Sequence, residues 1–345
     1  MNSKLNFTRI QFACSAFRSF SKISNSLSKC QKSGVSLNGK LDCRFTCTQS
    51  FRVNKNAFLY IVREIEPSIK STSISIVHKV AATLRFLAEG SYQRSVGKDV
   101  DIAVARTTVC KIINEVLRVL ERKLCPKWIK LRMTEEEKRE SKRHFVEKCG
   151  MPGVIGCVDG THVKIAKPRQ DSNLYYNRKG YYSINAIVIC DYKMRIRAVD
   201  AAHPGSSHDA LIWSMSDARN HFVEKYESGE RGSWLLGDAG FALEAFVITP
   251  YKHAPPGSIK SNFNKKHSAA RNIVERTIGN VKGRFRCLLN TLYYSPQKVV
   301  TIFNVCCALH NEMDEPTDIY VEDEVYADYV DEATRIRDSI AQSMF

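Results

Sequence analysis

Gly153-Val-Ile-Gly-Cys-Val-Asp-Gly160 decides how this chain folds. Its apolar run, bounded by glycines, reads as part of a buried strand, and the run ends on an acid, Asp159. A second run of the same design, Ser233-Trp-Leu-Leu-Gly-Asp238, also ends on an acid. A third acid, Glu275, lies in a helical pattern over 268–282. There Val274, Ile278, Val281 and Phe285 form a core-facing stripe, and Glu275 sits at its edge with Arg271 and Lys282 on its own row. Acids at the tips of buried strands, joined by one on a nearby helix, converge in space although they are far apart in sequence. Converging carboxylate oxygens are what hard divalent cations need. Two such cations, about 3.5–4 Å apart, clamp the attacking and leaving oxygens of a phosphodiester.

The neighbouring segments predict an α/β sheet. Strands are expected over 154–163, 182–190 and 194–201, the last two joined by the turn Asp191-Tyr-Lys193. A helix over 210–226, a short strand over 234–238 and helices over 268–284 and 296–311 follow. Residues 53–148 read as helical, with apolar spacing over 76–87 and 107–120. The chain therefore divides into a basic Ser-rich arm (1–52), a helical region (53–148), an α/β domain (149–311) and an acidic tail (312–345).

Charge points to the partner. The chain carries a formal +16, with 43% hydrophobic and 26% charged residues. From Glu312 onward eleven acids face two arginines, a net of −9, so the rest of the chain carries +25. A surface that basic favours a polyanion such as DNA. The uninterrupted apolar stretches are too short to span a bilayer, so the chain reads as soluble and without a membrane partner. Many of the twelve cysteines sit in apolar runs, at positions 110, 157, 190, 287, 306 and 307, as buried thiols do in a reducing compartment. Cys43-x3-Cys47 with Cys30 lacks the paired second half of a zinc site. The first 41 residues hold seven Lys/Arg and no Asp or Glu, a composition shared by mitochondrial transit peptides and disordered basic arms. The DNA-directed chemistry favours the arm and a nuclear location.

Ser95-Val-Gly-Lys-Asp-Val-Asp-Ile-Ala-Val-Ala-Arg-Thr-Thr-Val-Cys-Lys-Ile-Ile113 reads as a helix-turn-helix. Its second helix would start near Thr107, capped by that hydroxyl. Val109, Ile112 and Val116 would turn inward, and Arg106, Thr108 and Lys111 would face phosphates or base edges. An ordinary helical hairpin with a basic exterior has the same pattern. Glu135-Glu-Glu-Lys-Arg-Glu-Ser-Lys-Arg143 reads as a solvated helical connector.

Seven motifs occur in order. They are Gly156-Cys-Val-Asp-Gly-Thr-His162, Tyr175-Tyr-Asn-Arg-Lys-Gly-Tyr-Tyr-Ser-Ile-Asn185, His203-Pro-Gly-Ser-Ser-His-Asp209, Leu236-Gly-Asp-Ala-Gly-Phe241, Thr249-Pro-Tyr251, Val274-Glu-Arg-Thr-Ile-Gly-Asn-Val-Lys-Gly-Arg-Phe-Arg-Cys287 and Cys306-Cys-Ala-Leu-His-Asn311. Over roughly 55–311 the chain resembles the PIF/Harbinger family of DDE transposases and the nucleases derived from them. The resemblance implies an RNase H-like DDE domain with a mixed sheet, preceded by a helical, helix-turn-helix-like DNA-binding region. It implies a site of Asp159, Asp238 and Glu275 holding two ions, Mg²⁺ or Mn²⁺, and a separate Myb/SANT-like DNA-binding partner. The 36 residues between Asp238 and Glu275 suit that pattern.

Asp209, beside His208, is open between a helix cap and a further metal ligand. His162 is open between orienting the site and a structural role. Arg178, Lys179, Arg271, Lys282, Arg284 and Arg286 are the candidate phosphate contacts, with Arg106 and Lys111. Tyr175, Tyr176, Tyr181 and Tyr182 suit either base stacking or core packing. The function expected is a metal-dependent DNA endonuclease, with strand transfer if transposase chemistry is kept. The alternative is a catalytically silent DNA-binding or recruitment protein.

Overall fold

A computed structural model describes residues 51–90 and 105–313. The basic arm up to residue 50, the segment 95–104 of the expected helix-turn-helix and the tail beyond Met313 lie outside the described residues, as do Cys30, Cys43 and Cys47.

The helical half begins with α1 (Lys55–Ile65), α2 (Ile76–Glu89) and α3 (Arg106–Trp128). Asn54 and Ser75 cap the first two by accepting from backbone N–H groups of the first turn. Thr107 does not cap α3. The helix starts one residue earlier than expected, so the cap position falls on Ala105, which has no side-chain acceptor. Its apolar face buries Val109, Ile112, Ile113, Val116, Leu117 and Leu120, as the spacing predicts. Phe51 and Val53 are already part of the core that these helices share.

Next comes α4 (Glu135–Cys149), opened by a reciprocal capping box between Thr134 and Glu137. It is not a solvated connector. Lys138, Ser141 and Phe145 fall on one face and are buried, and the Ser141 hydroxyl donates to Ile155 O at 2.8 Å. High charge on the other faces masked that stripe.

The strands are β1 (Val154–Lys164), β2 (Ser183–Cys190), β3 (Ile196–Pro204), β4 (Trp234–Leu236) and β5 (Val247–Ile248). They form one mixed sheet in the order β3-β2-β1-β4-β5. β1, β2 and β3 pair antiparallel, while β4 and β5 run parallel to β1 and to each other. This order fits the RNase H-like arrangement that the resemblance implies. Between β3 and β4 lie α5 (Asp209–Met215) and α6 (Asp217–Glu227). The single helix expected over 210–226 is thus broken at Ser216, whose side chain caps α6. After β5 come α7 (Ile259–Arg284) and α8 (Pro296–Met313).

Both faces of the sheet are covered, which is why β2 is buried along its whole length. Ile184, Ala186 and Val188 point into the core shared with α1, α2, α3 and α8, while Ile187 and Ile189 pack with Ile212, Trp213 and Phe222 of α5 and α6. A third cluster joins Phe145 of α4 and Val154 and Cys157 of β1 to Ala270, Ile273 and Val274 of α7. The helices of 53–128 therefore share a continuous core with part of the sheet. Asn311, at the end of α8, donates to Ile196 O and to Trp128 O and accepts from Ile196 N–H, tying β3 to α3. Among the described residues, no helix is long and apolar enough to cross a membrane.

Candidate active site

Parallel pairing sets the first two acids side by side. Cys157 of β1 is in register with Leu236 of β4. Asp159 and Asp238 each lie two residues beyond that pair, toward the same end of the sheet. Each is oriented by a backbone donor: Gly160 N–H to Asp159 Oδ1 at 2.9 Å, and Gly240 N–H to Asp238 Oδ1 at 2.8 Å. The third acid arrives on α7, which packs against β1 where the Cys157 thiol meets Ala270 O at 3.6 Å. The next residue, Arg271, donates from Nη1 to Asp159 Oδ2 at 2.9 Å and from Nη2 to Glu275 Oε1, one turn along. Asp159 and Glu275 thus reach a common point, and a guanidinium occupies it.

Burial pushes the Asp159 carboxyl up to about 6, and the negative charges of Asp238 and Glu275 add to the rise, against the opposing pull of Arg271 and the Gly160 N–H. Burial disfavours the Arg271 charge, but Asp159, Glu275 and Asp238 outweigh it and raise its affinity for its proton. Asp238 and Glu275 thus both lie near enough for Asp159 to feel their charge. The expected direct convergence of three carboxylates is not what the side chains make: among the described residues, no group of three His, Cys, Asp or Glu stands ready to hold an ion. Arg271 lies between two of the acids and offsets their mutual repulsion. The donor set still fits a hard cation, because every member is a carboxylate and the most buried one is already paired with a positive group.

A fourth acid stands on the other flank. Asp209 is the first residue of α5 and does not cap it; the cap position is His208, which makes no side-chain cap. Instead Asp209 Oδ1 accepts from Asn185 Nδ2 at 2.8 Å, and its carboxylate lies over Gly160. A Cβ on Gly160 would come within 2.5 Å of it, so any larger residue there would displace the Asp209 carboxylate. Asn185 Oδ1 is buried with no hydrogen-bond partner. His162 Nδ1 lies 3.0 Å from Ser183 Oγ, which also accepts from Asn177 Nδ2 at 2.8 Å. Burial holds the His162 imidazole below its ordinary range, against the pull of Asp209.

Residues 158–311 match the family described as DDE superfamily endonuclease. Over 264 residues, 74% of this chain and 73% of the relative, the chain is 34% identical to the protein named "Putative nuclease HARBI1" of Homo sapiens, and it is as similar to that of Rattus norvegicus. This chain belongs to the Harbinger-transposase-derived DDE endonucleases. It is also 27% identical over 301 residues to the Arabidopsis thaliana protein named Antagonist of Like Heterochromatin Protein 1, covering 79% of this chain and 74% of that one. No solved structure matches it.

In this Harbinger-derived chain the remaining candidates are placed unequally. Lys282 is turned inward, donating to Thr161 Oγ1 at 2.7 Å and His162 O at 2.9 Å, so it braces the end of β1. Burial brings its amine down to about 8, helped by the nearby charge of Lys179. Arg178 Nη2 lies 2.7 Å from His208 Nε2, on an exposed surface beside Asp209. Arg284 is drawn away to α8, where Nη1 approaches His310 Nδ1 at 3.2 Å. Arg286 is exposed on the turn after α7, and Arg106 and Lys111 are exposed on α3. Tyr176 is exposed, while Tyr175 and Tyr182 pack against the core. Cys157, Cys190, Cys287, Cys306 and Cys307 are buried free thiols, whereas Cys110 is only half-buried.

Sequence reasoning missed Asn185 and Ser183. Their positions in the Tyr175–Asn185 motif were the available signal: both are polar residues in an otherwise apolar strand. It also missed Asn264, which brackets Tyr251 by accepting its N–H and donating to its carbonyl, each at 2.9 Å.

Proposed function

We propose that this chain is a divalent-metal-dependent DNA endonuclease that hydrolyses phosphodiester bonds at Asp159, Asp238 and Glu275. The observation that carries the reading is geometric: Asp159 within β1 and Asp238 just past the end of the parallel neighbour β4 lie at equivalent heights of the sheet, and Glu275 is joined to Asp159 through Arg271. Two ions held there, Mg²⁺ or Mn²⁺, would supply water activation and stabilisation of the leaving 3′ oxygen. Asp159, the most enclosed of the three, would face both; Asp238 and Glu275 would each complete one side. Asp209 is positioned to order the neighbouring coordination or a substrate-bound water through Asn185. Lys282 holds Thr161 and His162 so that the end of β1 keeps its shape when negative charge gathers at Asp159. Arg178 and Lys179, beside this edge, suit a phosphate backbone.

Arg106 and Lys111 on the exposed side of α3 are proposed to contact DNA, with 95–113 as a helix-turn-helix. Strand transfer, a Myb/SANT-like partner and a nuclear location belong to the same reading. The rival reading is a DNA-binding protein without catalysis. It is favoured by the Arg271 pairs, which engage two of the acids. A supercoiled plasmid in Mg²⁺ separates the two. Wild type should nick it and Asp159→Ala should not; equal inactivity of both proteins would select the silent reading.

A further inference from the structure

We propose that Arg271 is a built-in competitor for the metal: it holds the candidate site closed by bridging Asp159 and Glu275, and loading of the site favours its release. The inference rests on the metal-site reading given above and deepens it by naming what controls occupancy.

Three observations carry it. First, the two nitrogens of one guanidinium are divided between two acids on different elements, Nη1 to Asp159 in the middle of β1 and Nη2 to Glu275 on α7. A side chain recruited merely to cap its own helix row would need only Glu275, four residues on. Second, the Asp159 arm of the bridge is sheltered. The Arg271 side chain is 17% exposed and that of Asp159 is 16% exposed, so their attraction is little screened, whereas Glu275 is 50% exposed and its arm is the weaker one. Third, Arg271 also lies within the field of Asp238. One fixed positive charge thus serves the acids that a divalent cation would have to serve.

A hard cation and a guanidinium on the same carboxylate compete through their charges. Asp159 Oδ1 already accepts the Gly160 N–H, and Oδ2 accepts Arg271. Each oxygen keeps a second lone pair, but an ion bound there with Arg271 in place would meet a unit positive charge at close range, so its binding favours release of Arg271. Breaking a half-buried ion pair is costly when the released group is left without a partner. A DNA phosphate supplies that partner in the bidentate geometry that guanidinium prefers. The released Arg271 would then stabilise bound DNA, and metal and DNA would each favour the other's binding, as linkage requires. A site of this design stays nearly empty until substrate arrives. Lys282, on the same row, is not available for the exchange, because it is committed to Thr161 and His162.

The test is a Mn²⁺ titration of the full chain without DNA, followed by the resonance of free Mn²⁺. Wild type should bind weakly. Arg271→Gln should bind at least about tenfold more tightly, since a unit charge no longer opposes a divalent ion at close range. Arg271→Lys, which keeps the charge but cannot span two carboxylates, should fall between them. It also carries the comparison if the glutamine variant does not fold. Asp159→Asn in the Arg271→Gln background should abolish the gain. Affinity unchanged or weakened in both arginine variants, with wild type binding well, would overturn the competitor role and leave the site intact. Absence of Mn²⁺ binding in wild type and both variants would overturn the metal-site reading, and the competitor with it.

Discussion

Asp159 and Lys282 define the two ends of one support: Lys282 grips Thr161 Oγ1 and His162 O just beyond the acid on β1, and the grip is made from α7, which also carries Glu275. The strand tip and the helix therefore cannot shift independently without breaking a buried contact. Burial of that amine has a consequence for pH. Its folded value, about 8, lies below the ordinary 10.5. Below pH 8 the amine is charged in both states and the full desolvation cost is present. Between 8 and 10.5 the unfolded chain binds more protons, so stability should rise with pH over that window. The total rise is at most on the order of 3 kcal/mol. Melting curves of wild type and Lys282→Met from pH 7 to 10.5 check it: the methionine variant should lose the rise, and parallel curves would refute the assignment.

Gly160 is constrained by contact with Asp209 rather than by its backbone. Gly160→Ala places a methyl group against the carboxylate. It should destabilise by about 1–3 kcal/mol through displacement of α5. Because Asp209 moves, cleavage should fall more than stability does. Thermal melting and nicking rates measured together decide whether the loss is local.

Asn311 should matter for folding and not for chemistry. Its amide makes three hydrogen bonds that link α8 to β3 and α3. Asn311→Ala strands buried backbone groups and should cost on the order of 2–3 kcal/mol. A lowered denaturation midpoint with unchanged metal affinity is the expected pair of results.

Affinity for DNA should be strongly dependent on salt, because a net +25 lies outside the acidic tail. If six or more Lys/Arg neutralise phosphates, binding should weaken by roughly 10³-fold or more between about 50 and 200 mM salt. Fluorescence anisotropy across that range gives the slope. A flat response would point to a partner other than nucleic acid.

Much of the sheet was legible because β2 and the first half of β1 are apolar and buried on both faces; β1 runs on past Asp159 to Lys164, so that acid sits within the strand and not at its tip. β5 was not legible, since two residues carry no periodicity and the strand exists only through pairing with β4. The first nine residues of α7, Ile259 to His267, were missed because their polar composition hides a helix that begins at the Ser258 cap. Charge likewise disguised α4, whose buried Lys138, Ser141 and Phe145 recur at helical spacing among nine charged neighbours of the segment Glu135–Cys149. At the site, the three acids were legible as a spacing. The row placing Arg271 one turn before Glu275 was legible too. The closure of Arg271 on Asp159 was not, because it depends on how α7 lies across β1, a contact between residues 112 apart in the chain.

Glu275→Gln tests the central claim most directly, because it keeps the shape of the side chain while removing the charge a hard cation needs. Wild type and variant should be compared in one experiment that reads both DNA affinity and Mg²⁺- or Mn²⁺-dependent nicking. The expected result is retained folding and DNA binding, equal or slightly tighter, with nicking by wild type and none by the variant. The contradictory result is a wild type that leaves DNA intact in either ion and whose melting temperature neither ion changes.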